Sequence, residues 1–205
     1  MGAVYTPGEI AVLTGLARAH EIPVHMDGAR FANAVARLGC SPAEASWKAG
    51  VDILCLGATK NGAMAAEAVV IFDPDRAWEF ELRRKRGGHL FSKMRFVAAQ
   101  MEAYLEGGLW LEMAGHANAM ADRLAAGLRQ APGCRVLNPV EANLIFAEMP
   151  LGTHRRLQAA GARYYPSAGG QDENGPDDAP LKVRLVCSFQ TEEAEVDRFV
   201  ALLRG

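Results

Sequence analysis

The period of the apolar positions changes several times along the chain, and each change marks an element. After Thr6-Pro7-Gly8-Glu9, the residues Ile10, Leu13, Leu16 and Ala17 recur at helical spacing. A helix therefore starts there, with Thr6 as N-cap, Pro7 at its first position and Glu9 closing a capping box. Pro23-Val24-His25-Met26 reads as a short strand ending in Asp27-Gly28, and a helix follows over about Phe31 to Leu38. Ser41-Pro42-Ala43-Glu44 repeats the capping pattern and predicts another helix, stopping near Gly50. Val51 to Leu56 is a second strand that terminates at Gly57-Ala58-Thr59-Lys60. A Gly- and Ala-rich loop then leads to a third strand, Glu67 to Phe72. Helices and strands in this alternation predict a layered α/β sheet, largely parallel.

From Pro74 the pattern turns helical, over about 74–86, 94–106 and 109–130, with Gly87-Gly88 and Gly107-Gly108 as breaks. Strand-like Arg135 to Leu137, a strand from Leu144 to Glu148, a helix near 153–160 and extended Arg163 to Tyr165 come next. Ser167 to Pro180 is rich in Gly, Asp, Asn and Pro and reads as a mobile loop. The chain closes with a strand from Leu181 to Ser188 and a helix capped by Thr191. This divides the chain into part of a large α/β domain over residues 1–107 and a small α+β domain over 108–205.

Composition narrows the function. Among 205 residues, 22 basic and 24 acidic side chains leave a net charge of −2, so no field favours nucleic acid or an anionic membrane. Apolar runs such as Val69 to Phe72 are far shorter than a bilayer span, and residues 1–20 lack a secretory pattern. A cytoplasmic location is expected. The four cysteines contain no C-x-x-C pair, and Cys55 and Cys187 sit inside apolar strands; they read as buried reduced thiols. The five histidines stand at no ligand spacing to one another or to a cysteine, so no metal is expected. His25, between Val24 and Met26, reads as a core histidine, and His89, His116 and His154 as solvent-facing.

Chemistry concentrates at two strand ends. Asp27 follows one strand and Lys60 the next, and in open α/β sheets ligands bind beyond the carboxyl ends of strands. A lysine amine forms Schiff bases with carbonyl compounds, and enzymes using pyridoxal 5′-phosphate (PLP) pair such a lysine with an acid for the pyridine nitrogen. The surroundings carry this further. His25-Met26-Asp27-Gly28-Ala29-Arg30 and Gly57-Ala58-Thr59-Lys60-Asn61-Gly62-Ala63 resemble the threonine aldolase family, in the β-eliminating-lyase branch of fold-type I PLP enzymes. Tyr5 to Ile10, Arg84 to Gly88, Ser92 to Arg95 and Val183 to Val186 resemble further stretches of that family in the same order.

The resemblance implies the C-terminal part of a fold-type I large domain followed by a small α+β domain. It implies that Lys60 carries PLP, Asp27 binds the pyridine nitrogen, and Arg30 contacts cofactor or substrate carboxylate. Thr59 and Arg95 would serve the phosphate region, with Lys85 a further basic residue near it, and Arg184 would clamp the substrate carboxylate as a fork. The implied activity is cleavage of threonine or other β-hydroxy-α-amino acids to glycine and an aldehyde, by a homo-oligomer. A related β-eliminating lyase or phenylserine-type aldolase, and a non-catalytic oligomerisation piece, are the rival readings. The family's glycine-containing phosphate loop and ring-stacking histidine have no counterpart in these residues. The expectation is an N-terminally truncated member with weakened cofactor binding and impaired activity.

Overall fold

The computed structural model describes residues 2–166 and 174–205. It forms two compact units, one of residues 5–113 and one of residues 1–4 with 114–205. Of the Gly- and Asp-rich segment expected to be a mobile loop, residues 167–173 lie outside the described residues.

The first unit begins with α1 (Pro7–Ala19). Its capping box is formed: Glu9 N donates to Thr6 Oγ1 at 3.3 Å, and Thr6 N donates to Glu9 Oε2 at 2.8 Å. Then follow β1 (His25–Gly28), α2 (Phe31–Leu38), β2 (Ile53–Gly57), β3 (Glu67–Ile71), α3 (Ala77–Arg86) and α4 (Arg95–Leu105). The three strands lie in the order β1-β2-β3, with β1 parallel to β2. The sheet is not largely parallel, because β3 runs antiparallel to β2. Only residues 58–66 connect those two strands, too few for a crossover, so the chain turns back on itself.

The helix expected after Ser41 is also absent as such. Ser41 and Glu44 do exchange the two capping hydrogen bonds, at 2.8 and 3.2 Å. Ser46 then leaves helical geometry (φ −138°, ψ −103°), and only a 3-10 turn over Trp47–Ala49 follows. A capping box starts a turn, but the chain must reach Val51 at the sheet within a few residues.

The second unit takes α5 (Leu109–Gln130) from Ala114 onward, then β4 (Arg135–Val136), β5 (Leu144–Pro150), α6 (Leu151–Ala159), β6 (Tyr165–Pro166), β7 (Pro180–Val186) and α7 (Glu193–Leu203). Its sheet has the order β4-β5-β7-β6 with every pair antiparallel. Along β5, Ile145, Ala147 and Met149 are buried; along β7, Leu181, Val183 and Leu185 are. That period of two closes one sheet face under α5, α6 and α7, where Leu124, Leu128, Leu157, Val196 and Leu203 join the core. Glu192 rather than Thr191 caps α7. The Thr191 hydroxyl is taken by the Ser188 N–H of the preceding turn, at 2.8 Å.

Candidate active site

The register of the first sheet sorts its side chains. Asp27 stands beside Cys55, and Cys55 beside Val69; Met26, Leu54 and Val70 form the next row. Because side chains alternate across a sheet, Met26, Leu54, Leu56 and Val70 share one face. His25, Asp27, Cys55, Gly57 and Glu67 share the other. The first face is core, with Leu54 and Leu56 buried, whereas His25, Asp27 and Glu67 on the second are exposed.

On that open face Ala29 N donates to Asp27 Oδ1 at 3.0 Å, which holds the carboxylate in a turn at the strand end. His25 Nε2 lies 3.2 Å from Cys55 Sγ. Burial pushes the Cys55 thiol up from its ordinary range, and the negative charges of Asp27 and Glu67 push it further. A protonated, neutral thiol therefore shares this face with two carboxylates. Gly57 lets the Glu67 carboxylate and Ala29 close over the strand end at this point. A Cβ there would stand 2.8 Å from Glu67 Oε2 and 3.0 Å from Ala29 Cα.

Three residues beyond the end of β2, Lys60 lies exposed in a 3-10 turn, Thr59–Asn61. Among the described residues it has no hydrogen-bond or ion-pair partner. The turn is tied back to the start of β3. Ala58 N donates to Ala66 O at 3.1 Å, and the Thr59 hydroxyl accepts from Ala66 N at 3.0 Å while facing Ala66 O at 3.3 Å. That hydroxyl has one proton to donate, so it reaches another acceptor only by releasing Ala66 O. Arg30, half-buried, is the residue from which α2 departs. Arg95 is exposed at the first position of α4, its guanidinium 4.8 Å from the Phe96 ring centroid.

Asp27, Arg30, Thr59, Lys60 and Arg95 thus belong to the first unit, and Arg184 to the second. In its own sheet Arg184 pairs in register with Phe146 and Tyr165. It projects from the face opposite the buried Val183 and Leu185, half-exposed.

Five side chains differ from their sequence-based placement. His25 is exposed on the open face, not in the core; period-two alternation sets it with Asp27, away from Met26. Cys55 is half-buried on that same face, and Cys40 and Cys134 are half-buried as well, which leaves Cys187 as the buried thiol. His154 is buried rather than solvent-facing, 5% exposed, with Nδ1 3.0 Å from the Tyr164 hydroxyl. It shares the inner face of α6 with Leu151 and Leu157. Sequence reasoning also passed over Glu67 and Asn61. Counting alternation back from Val69 would have put Glu67 on the Asp27 face; Asn61 has no comparable signal.

A mixed sheet with helices packed on it is the fold of part of the large domain of fold-type I PLP enzymes, and solved structures agree in fold. A threonine aldolase from Leishmania major superposes with a TM-score of 0.84 at 28% identity, covering 97% of this chain and 56% of that one. The sequence profile of the beta-eliminating lyase family matches residues 1–150, and the chain belongs to that family. Among curated relatives, the low specificity L-threonine aldolase of Pseudomonas sp. (strain NCIMB 10558) is 41% identical over all 205 residues. That of Pseudomonas aeruginosa is 42% identical, again over the whole of this chain. The chain spans 56% and 57% of the length of those two relatives.

Proposed function

We propose that this chain is the lysine-bearing part of a PLP-dependent aldolase that cleaves threonine or other β-hydroxy-α-amino acids to glycine and an aldehyde. The observation that carries this reading is the pair of adjacent parallel strands, one closing with Asp27-Gly28 and the other leading into Lys60. The residues fit a flat heteroaromatic aldehyde. Asp27 offers a carboxylate already oriented by Ala29 N, and Lys60 offers an amine with no protein partner among the described residues.

When bound, PLP supplies an aldehyde that captures amino groups and a ring that withdraws the electron pair of the breaking Cα–Cβ bond. The chain's residues do the rest. Lys60 would hold the cofactor through its amine. Asp27 would hold a proton on the ring nitrogen and so keep the ring electron-poor. Arg30 contacts the cofactor or the substrate carboxylate, Arg184 offers that carboxylate a two-toothed fork, and Arg95 adds positive charge for the phosphate. Thr59 shapes the Lys60 turn through Ala66, and would join the phosphate by exchanging that bond.

Soaking the protein with PLP, reducing with borohydride and mapping the modified peptide tests the reading. The label is expected on Lys60 and is expected to vanish from that peptide in Lys60→Ala. A label concentrated on Lys85 or Lys93 would sink the assignment. The family profile also favours a second reading, β-elimination, and the products decide between them. Glycine with acetaldehyde from threonine marks cleavage, whereas ammonia with a ketoacid marks elimination.

A further inference from the structure

We infer that Asn61, Tyr104 and Trp110 form a buried clamp tying the Lys60 turn to the Asp27–Arg30 loop, which makes Asn61 a positioning residue for the Lys60 amine. The inference rests on the role proposed above for Lys60. Asn61 directly follows that exposed lysine yet is only 3% exposed itself. Its Nδ2 donates to the Tyr104 hydroxyl at 2.8 Å and to the Trp110 carbonyl at 2.8 Å. Both amide hydrogens are thus used. Tyr104, near the end of α4, and Trp110, at the start of α5, are buried as well.

The second half of the link is aromatic. The Trp110 ring stacks on Phe31, with centroids 6.4 Å apart and planes 18° from parallel. Phe31 is the residue immediately after Arg30 and opens α2. A continuous path therefore runs from Lys60 through Asn61, Trp110 and Phe31 to Arg30 and the Asp27 turn. Tyr104 braces Trp110 from a third direction, at 6.2 Å and 55°. Gly62 closes the turn at φ +125°, where a Cβ would meet the Met113 side chain at 2.9 Å.

Such a clamp matters because the other bonds of the Lys60 turn tie it to itself and to the start of β3, through Ala58 and Thr59. The backbone of the turn is held by Asn61 N to Ala58 O at 3.0 Å and Ala63 N to Ala58 O at 3.1 Å. Thr59 anchors the turn against β3, Asn61 anchors it toward the Asp27–Arg30 loop, and drift of about 1 Å between those two loops is costly at a reacting group. Asn61 is suited to this because it satisfies two buried acceptors at once. An apolar replacement of similar size would leave the Trp110 carbonyl and the Tyr104 hydroxyl without that donor.

Hydrogen exchange of the 205-residue chain tests the link without any ligand. In Asn61→Leu, exchange is expected to speed up about tenfold in two segments together, residues 58–63 and residues 28–33. Tyr104→Phe, which keeps the ring and removes only the hydroxyl, should move both segments in the same direction by less, and it serves if Asn61→Leu does not fold. Borohydride labelling with PLP is the second arm, read as the ratio of label on Lys60 to label on Lys182. That ratio is expected to fall about tenfold in Asn61→Leu, the same loss of buried hydrogen bonding being at stake. Loosening confined to 58–63, or an unchanged ratio in a variant that merely melts earlier, overturns the clamp. Coupled loosening with wild-type label found elsewhere than Lys60 overturns the assignment of Lys60 and supports the clamp.

Discussion

The two sheets obey the same alternation but leave opposite things uncovered. In the second unit the inner face is sealed: Ile145, Ala147, Met149 and Val183 have no measurable exposure beneath α5, α6 and α7. In the first unit the buried set is thinner, and large apolar side chains stay outside. Val12 is 73% exposed, Leu16 63%, Trp78 69% and Phe96 59%. Of the large hydrophobic residues exposed among the described residues, only Tyr165 and Val186 belong to the second unit. Stability and chemistry are thus divided. The second unit carries the closed core, while the first carries Asp27, Lys60 and an apolar surface suited to contact with other protein.

That division can be broken most directly by truncating one side chain of each kind. Ile145→Ala is expected to lower the unfolding free energy by about 2–5 kcal/mol, since it removes packed volume from a sealed core. Leu16→Ala is expected to change it by no more than about 0.5 kcal/mol, because that side chain points away from the unit's own interior. Denaturant titration of both variants measures the contrast. A comparable loss in Leu16→Ala would mean that the outer side of α1 is covered in solution, and the division would be wrong.

The open face of the first sheet sharpens the comparison next. Asp27→Asn keeps an oxygen to accept from Ala29 N, so the turn should survive, but it removes the negative charge. A hydrogen bond to a charged partner is stronger than a neutral one by about 1 kcal/mol or more. Lys60 labelling at limiting PLP should therefore fall roughly five- to tenfold by that principle, with the melting temperature little changed. Equal labelling of Asp27→Asn and the wild type would remove Asp27 from the proposed site.

Features set by neighbouring residues are legible in the amino-acid sequence. Thr6, Pro7 and Glu9 mark the start of α1, and the bounds of α2 and α5 follow from apolar periodicity closed by Gly39 and by the Gly107-Gly108 break. The positions of Asp27 and Lys60 at successive strand ends are legible for the same reason, each strand stopping at glycine. What escapes such reading depends on partners far along the chain. The direction of β3 is decided by the shortness of the connection behind it. His154 becomes buried because Tyr164 and the second core meet it. Asn61 looks like an ordinary turn residue until Tyr104 and Trp110, more than 40 positions later, close over it.

The smallest expected effect concerns the thiols of the two sheets. Cys187, just past β7 and 2% exposed, has its pKa pushed up to about 11 by burial. Cys55, on the open face, is raised too, first by partial burial and then by Asp27 and Glu67. A thiol in the unfolded chain ionises near its ordinary value of 9.0, while folded Cys187 keeps its proton up to about 11. Within that window the folded state holds more protons, so stability falls as pH rises. Cys187's contribution is full below about pH 9 and gone above about pH 11. Other groups titrate there as well, so the measurement is a difference: denaturant unfolding of the wild type and Cys187→Ala at several pH values from 8 to about 11. Cys187→Ala should show the shallower alkaline decline, and Cys55→Ala a weaker version of the same change, because its thiol already meets solvent. Parallel curves for the wild type and Cys187→Ala would show that the Cys187 thiol ionises as freely in the folded protein as in the unfolded chain. The second core would then be more open to water than its packing indicates.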